Sequence, residues 1–176
     1  MSRFIFFATV LFAFGVCKAQ AANLGLSSYF IGVTPSITAE PYYDAGEFDV
    51  NILPFVYQTS VFEKADIRMT SIVNYGIRKN ESKLSHIGFE IAFPIRLLSQ
   101  SSTTGPANGF FVAPIFSVTQ EQIDSETHIG LWVEPGYQFV FFNNYSMSIG
   151  LQLGATWIDS DIASHLGVNF IIGKWL

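Results

Sequence analysis

The stretch Ile87-Gly88-Phe89-Glu90-Ile91-Ala92-Phe93-Pro94-Ile95-Arg96-Leu97 alternates without a slip between a large apolar residue and one that is small, charged or proline. Side chains alternate across a strand, so a period of two predicts a β-strand. One face carries six large apolar groups, and Glu90 and Arg96 point the other way. A soluble barrel turns its large residues inward, and a narrow interior has no room for six from every strand. A barrel in lipid inverts the arrangement, with an apolar outer band and a lumen of small and hydrogen-bonding groups. The stretch therefore predicts a transmembrane strand with its apolar face toward lipid.

The same pattern recurs outward from it. Residues 147–157 pair an apolar face with one made only of Ser, Gly, Gln and Thr, and residues 129–141 place Glu134 and Gln138 on the second face. Eight segments emerge: residues 29–41, 48–58, 65–78, 85–97, 110–120, 128–142, 146–158 and 164–176. An even number of tilted strands predicts an all-β, eight-stranded antiparallel up-and-down transmembrane barrel as one domain over residues 22–176, with both termini at one end. Connections 43–47, 79–84, 121–127 and 159–163 are polar and mostly acidic and belong to the other end. At the terminal end, residues 143–145 form a tight turn, whereas 99–108 is long and rich in Ser, Thr and Gly. Pro35, Pro54, Pro114 and Pro135 fall on the apolar face, where each removes one ladder donor.

Composition agrees with a lipid-facing wall. The 176 residues are 49% hydrophobic, 16% aromatic and 13% charged, against about 25% charged in an ordinary soluble domain. Beyond residue 22 no apolar run approaches the roughly 20 residues of a membrane helix. Before it, Arg3, the apolar run of residues 4–16 and the small-x-small Ala19-Gln20-Ala21 read as an export signal, cleaved to leave Ala22 first. Lipidation at Cys17 is the rival, but Val16 stands where that processing needs a small residue. Cleavage removes the one cysteine, Arg3 and Lys18, leaving seven basic against fourteen acidic residues and a formal charge of −7. Disulfides are then impossible, and nucleic acid and anionic substrates are disfavoured partners.

The signal, the eight segments and the closing His165-Leu166-Gly167-Val168-Asn169-Phe170-Ile171-Ile172-Gly173-Lys174-Trp175-Leu176 resemble the small OmpA- or OmpX-like outer-membrane barrels of Gram-negative bacteria. Residues 109–114 and the closing Gly-x-Trp carry the likeness most closely. The resemblance covers the mature chain. It implies an integral place in the outer membrane, contact with its lipid and lipopolysaccharide, and insertion by the barrel-assembly machinery. Such chains usually end in Phe or Trp, whereas this one ends in Leu176 after Trp175.

Two constellations bear on function. Asp49, Arg68, Arg78, Glu90, Arg96 and Glu134 fall on inward faces and are expected to form a hydrogen-bonded plug or line a narrow pore. All three histidines open even-numbered strands after Ser or Thr, in Ser85-His86-Ile87-Gly88, Thr127-His128-Ile129-Gly130 and Ser164-His165-Leu166-Gly167. His86, His128 and His165 are thus candidates for a ring that binds a transition metal or senses pH. Local hydrogen bonding at strand starts is the simpler account, because their strands are not neighbours. Alternation points Ser85 and Ser164 outward, opposite to their histidines, which gives no Ser-His dyad. No catalytic residue, metal or cofactor is assigned. The expectation is a non-enzymatic structural, adhesive or interaction role for an unidentified extracellular ligand, with a narrow solute channel or a lipid A-modifying enzyme as alternatives.

Overall fold

The computed structural model describes residues 29–38, 44–62, 64–79, 82–99, 108–122, 126–141, 144–158 and 161–176. The export-signal reading of residues 1–21 lies outside them. So do residues 100–107, most of the long connection at 99–108.

Among the described residues, eleven strand pieces make one closed antiparallel barrel of eight staves. The first stave is β1 (Tyr29–Val33) with β2 (Ile37–Thr38), and the second is β3 (Phe48–Asn51) with β4 (Phe55–Phe62). The third is β5 (Ala65–Ile77), and the fourth joins β6 (Lys83–Ala92) to β7 (Ile95–Ser99). The rest are continuous: β8 (Gly109–Glu121), β9 (Thr127–Val140), β10 (Tyr145–Ile158) and β11 (Asp161–Trp175). Closure comes from β1 against β11, from Phe30 opposite Trp175 to Val33 opposite Ile172 with Gly32 opposite Gly173, and along those residues it leaves no open sheet edge. Beside this seam Leu176 N donates to Tyr29 O at 2.8 Å, so both described ends lie at one end of the barrel.

The breaks between pieces fall where proline interrupts the donor row. Pro35 sits between β1 and β2, Pro54 between β3 and β4, and Pro94 between β6 and β7. Neighbouring staves bridge the gaps, Thr34 N donating to Pro54 O at 2.8 Å and Phe93 N to Pro114 O at 3.0 Å. Pro114 and Pro135 lie instead within continuous strands, opposite Val133 and Val112, so each costs one ladder donor. Two sequence expectations need correction. The connection read as 159–163 is shorter, because Ile158 pairs with Asp161 and β11 begins there. Ser85 does not face outward. A bulge between the Asn74 and Tyr75 pairings puts Ser85 and His86 together against β5, and Ser85 is buried inside with His86.

The interior also holds more bulk than alternation suggested. Phe30, Val56, Ile171 and Trp175 form one apolar cluster, and Ala92, Phe111, Ala113, Ile115 and Trp132 another. Trp175 satisfies its indole N–H by donating to Ser146 Oγ at 3.1 Å. Inward glycines make the room. A Cβ on Gly154 would stand 2.5 Å from Trp132 Cα, closer to the Leu131 carbonyl oxygen, and one on Gly150 would meet Glu134 Cγ at 2.5 Å.

Because backbone atoms crowd Gly154, Gly154→Val is expected to lower folding stability by about 1 to 3 kcal/mol through overpacking. Ala155→Val, on the outer face, should change it by less than about 0.5 kcal/mol. Denaturant midpoints of the two folded variants check this, and equal midpoints would contradict the packing.

Candidate functional site

The side chains inside the barrel form two polar zones. At mid-height, Arg68 on β5 and Glu134 on β9 form an ion pair, Nη2 to Oε1 at 2.9 Å, with each side chain 1% exposed. Their staves are separated by β6–β7 and β8, so the pair spans the bore. Glu134 Oε2 accepts from Gln152 Nε2 at 3.0 Å and from Asn169 Nδ2 at 2.7 Å. Thr34 Oγ1 then donates to Asn169 Oδ1 at 2.9 Å, carrying the layer to the first stave. Glu90 is buried in the same interior. Toward the terminal end, Arg96 Nη2 meets Asp66 Oδ1 at 2.8 Å, and Gln58 Nε2 donates to Asp66 Oδ2 at 2.7 Å. A cavity of about 10 Å³ lies beside Gln58, Asp66, Arg96 and Gln138, which is room for roughly one water.

The second zone is at the end away from the termini, where β3, β6 and β9 begin. Asp49 is its hub. One carboxylate oxygen takes Arg78 Nη2 at 2.7 Å. The other lies 2.7 Å from Ser85 Oγ and 3.2 Å from His86 Nδ1. Ser85 Oγ is also 3.1 Å from the Asn74 carbonyl oxygen, so its one proton serves two acceptors, neither of them an imidazole. A hydroxyl tied in this way, and fully buried, is not poised for activation by His86. The His86 and His128 rings approach to 5.3 Å between centroids. His128 Nε2 lies 3.6 Å from Glu121 Oε2 and 3.9 Å from Glu126 Oε2.

The three histidines therefore do not form one ring. His86 and His128 meet because Glu121, on the stave between theirs, pairs directly with His86, while Thr119 pairs with His128. His165 stands apart, stacked on Trp132 at 4.1 Å with Nε2 3.3 Å from Gln152 Oε1. Arg68, Glu90, Arg96 and Glu134 lie in the interior below this end, whereas Arg78 belongs to the Asp49 hub. Sequence reasoning missed Asp66, Gln58 and Glu121. Asp66 carries a usable signal, since it shares the inward parity of Arg68 two residues on.

Removing Glu134 strips Arg68, Gln152 and Asn169 of their shared acceptor at once. Glu134→Leu is expected to cost about 3 to 5 kcal/mol, as when one partner of a buried pair is deleted. Val133→Leu next to it, on the outer face, should stay within about 0.5 kcal/mol. Denaturant unfolding of both variants measures the difference, and comparable losses would contradict the central layer.

Comparison of the chain with protein-family models, with curated proteins and with solved structures finds no match. Its function is therefore argued from the geometry of the barrel.

Proposed function

We propose that the chain is an exported, non-enzymatic integral protein of the bacterial outer membrane, a closed barrel acting as a rigid anchor for a structural, adhesive or interaction role. One observation carries this reading: the barrel is apolar outside and charged inside. Leu131, Val133, Ile149, Leu151, Leu153, Leu166 and Val168 are exposed on three successive staves, while Arg68, Glu134, Asp49 and Asp66 are buried. Exposed Ile31, Val33, Phe55, Ile87, Phe93, Ile95 and Phe116 extend the apolar wall around most of the circumference. Contiguous apolar patches on soluble monomers rarely exceed a few hundred Å², and lipid is the solvent that suits such a wall. Within the paired stretches, neighbouring staves satisfy the backbone groups of one another, as the hydrocarbon region requires.

The export-signal pattern of residues 1–21 supports passage to the envelope, and the resemblance to OmpA- and OmpX-like barrels supports the outer membrane. Lipid, lipopolysaccharide and the assembly machinery are the partners this implies. With both termini on the periplasmic side, the Asp49 hub and the histidine pair lie at the external end. The Arg68–Glu134 layer across the bore favours a plug over the narrow-channel alternative. The Asp49-bound Ser85 gives no support to a lipid A-modifying enzyme.

The test is insertion. Protein extracted from membranes with detergent should migrate differently on gels before and after heating, as a folded barrel does. Leu151→Arg and Ile91→Arg should each cost about 2 to 4 kcal/mol of barrel stability in lipid, while Gln152→Arg, facing Glu134, should cost less. A water-soluble protein without heat-dependent migration, or equal tolerance of Arg at all three sites, would contradict the reading.

A further inference from the structure

We propose that the end of the barrel away from the termini holds a site for one divalent transition-metal ion, built from His86, Glu121 and His128. Each of the three offers a ligand atom, and these atoms all lie within 4.8 Å of one another. The His128 Nε2 to Glu121 Oε2 distance is 3.6 Å, too long for a hydrogen bond. Two ligands held at about 2.1 Å from one ion at a tetrahedral angle stand about 3.4 Å apart, so this separation suits a shared ion. His86 presents the matching arrangement. Its Nδ1 lies against Asp49 Oδ2 at 3.2 Å, and a ring that donates from Nδ1 to a carboxylate keeps its Nε2 lone pair for a metal. Asp49 is itself fixed by Arg78 and Ser85, so the orienting carboxylate is held in place.

Two imidazoles and a carboxylate form a donor set that suits zinc and its first-row neighbours better than calcium or magnesium, which take oxygen ligands. Glu126 Oε2, 3.9 Å from His128 Nε2 on a half-exposed side chain, is within reach as a fourth ligand. The charge balance favours a cation, since among the described residues at this end Asp44, Glu47, Asp49, Glu121 and Glu126 outnumber Arg78, Lys79 and Lys83. His86 and His128 are buried, whereas Glu121 and Glu126 are more accessible, which gives the ion a path from solvent. The site stands on this geometry and holds whatever solvent surrounds the barrel wall.

Zinc titration of the purified, folded full chain tests it, with Co²⁺ as a spectroscopic probe of coordination. The expected result is one ion per chain and d–d absorption typical of mixed nitrogen and oxygen ligation. His86→Gln, His128→Gln and Glu121→Gln should each weaken binding at least tenfold. Asp49→Asn, which keeps the ligands and loosens the orientation of His86, should weaken it about 10- to 100-fold. His165→Gln should bind as the parent does. The far-UV circular dichroism spectrum reports whether each variant keeps its β-structure. A measurement on the parent alone is independent of folding defects: zinc should shift the imidazole NMR signals of His86 and His128 and leave those of His165 in place. No zinc-dependent shift at His86 and His128, or full affinity in a folded double His86→Gln, His128→Gln variant, would overturn the site.

Discussion

The bore of an eight-stranded barrel is only wide enough for its own side chains, and that constraint governs what each inward position of this chain can be. A stave contributes a large residue where a glycine on it or beside it leaves the space. Trp132 fits because Gly130 and Gly154 flank it, and Glu134 because Gly150 leaves room for its stem. Phe30 fills the terminal end beside Gly32 and Gly173 in the same way. The glycines thus set the positions at which the bore is filled.

A filled bore also has electrostatic consequences. Arg68 and Glu134 are removed from water almost completely, and each such ion costs several kcal/mol to desolvate unless paired and hydrogen-bonded. Glu134 meets this by using both oxygens, one on Arg68 and the other on Gln152 and Asn169. Asp66 repeats the device with Arg96 and Gln58, and Asp49 with Arg78, Ser85 and His86. Glu134 thus ties staves across the lumen, while Asp66 and Asp49 tie staves that lie side by side. Such links fix the relative heights of the staves in addition to the backbone ladder.

The strands were largely legible in the sequence, because a period of two with one uniformly apolar face leaves few competing readings. The segment at residues 146–158 falls within one residue of β10, and that at 65–78 within one of β5. Breaks at Pro35, Pro54 and Pro94 were harder to read, since proline within a strand and proline ending a strand look alike until the neighbouring staves are known. Ser85 illustrates a deeper limit. A single bulge moves one residue to the opposite face, and no local pattern announces it. The meeting of His86, Glu121 and His128 depends on the register between three staves, which alternation along one of them does not contain. By contrast, the inward charge of Arg68, Glu90, Arg96 and Glu134 follows from parity alone.

Whether the apolar wall faces lipid is the claim on which the functional reading rests, and the alternation within β10 tests it most directly. Single cysteines placed in turn at residues 147–157 and spin-labelled in protein reconstituted into bilayers report collision with dissolved oxygen, which partitions into lipid, and with a water-soluble nickel complex. A lipid-facing wall predicts high oxygen accessibility at Met147, Ile149, Leu151, Leu153 and Ala155 and low values at the residues between them, a period of two that follows the outer face. Uniform accessibility to the water-soluble complex along the strand would contradict a barrel embedded in a membrane.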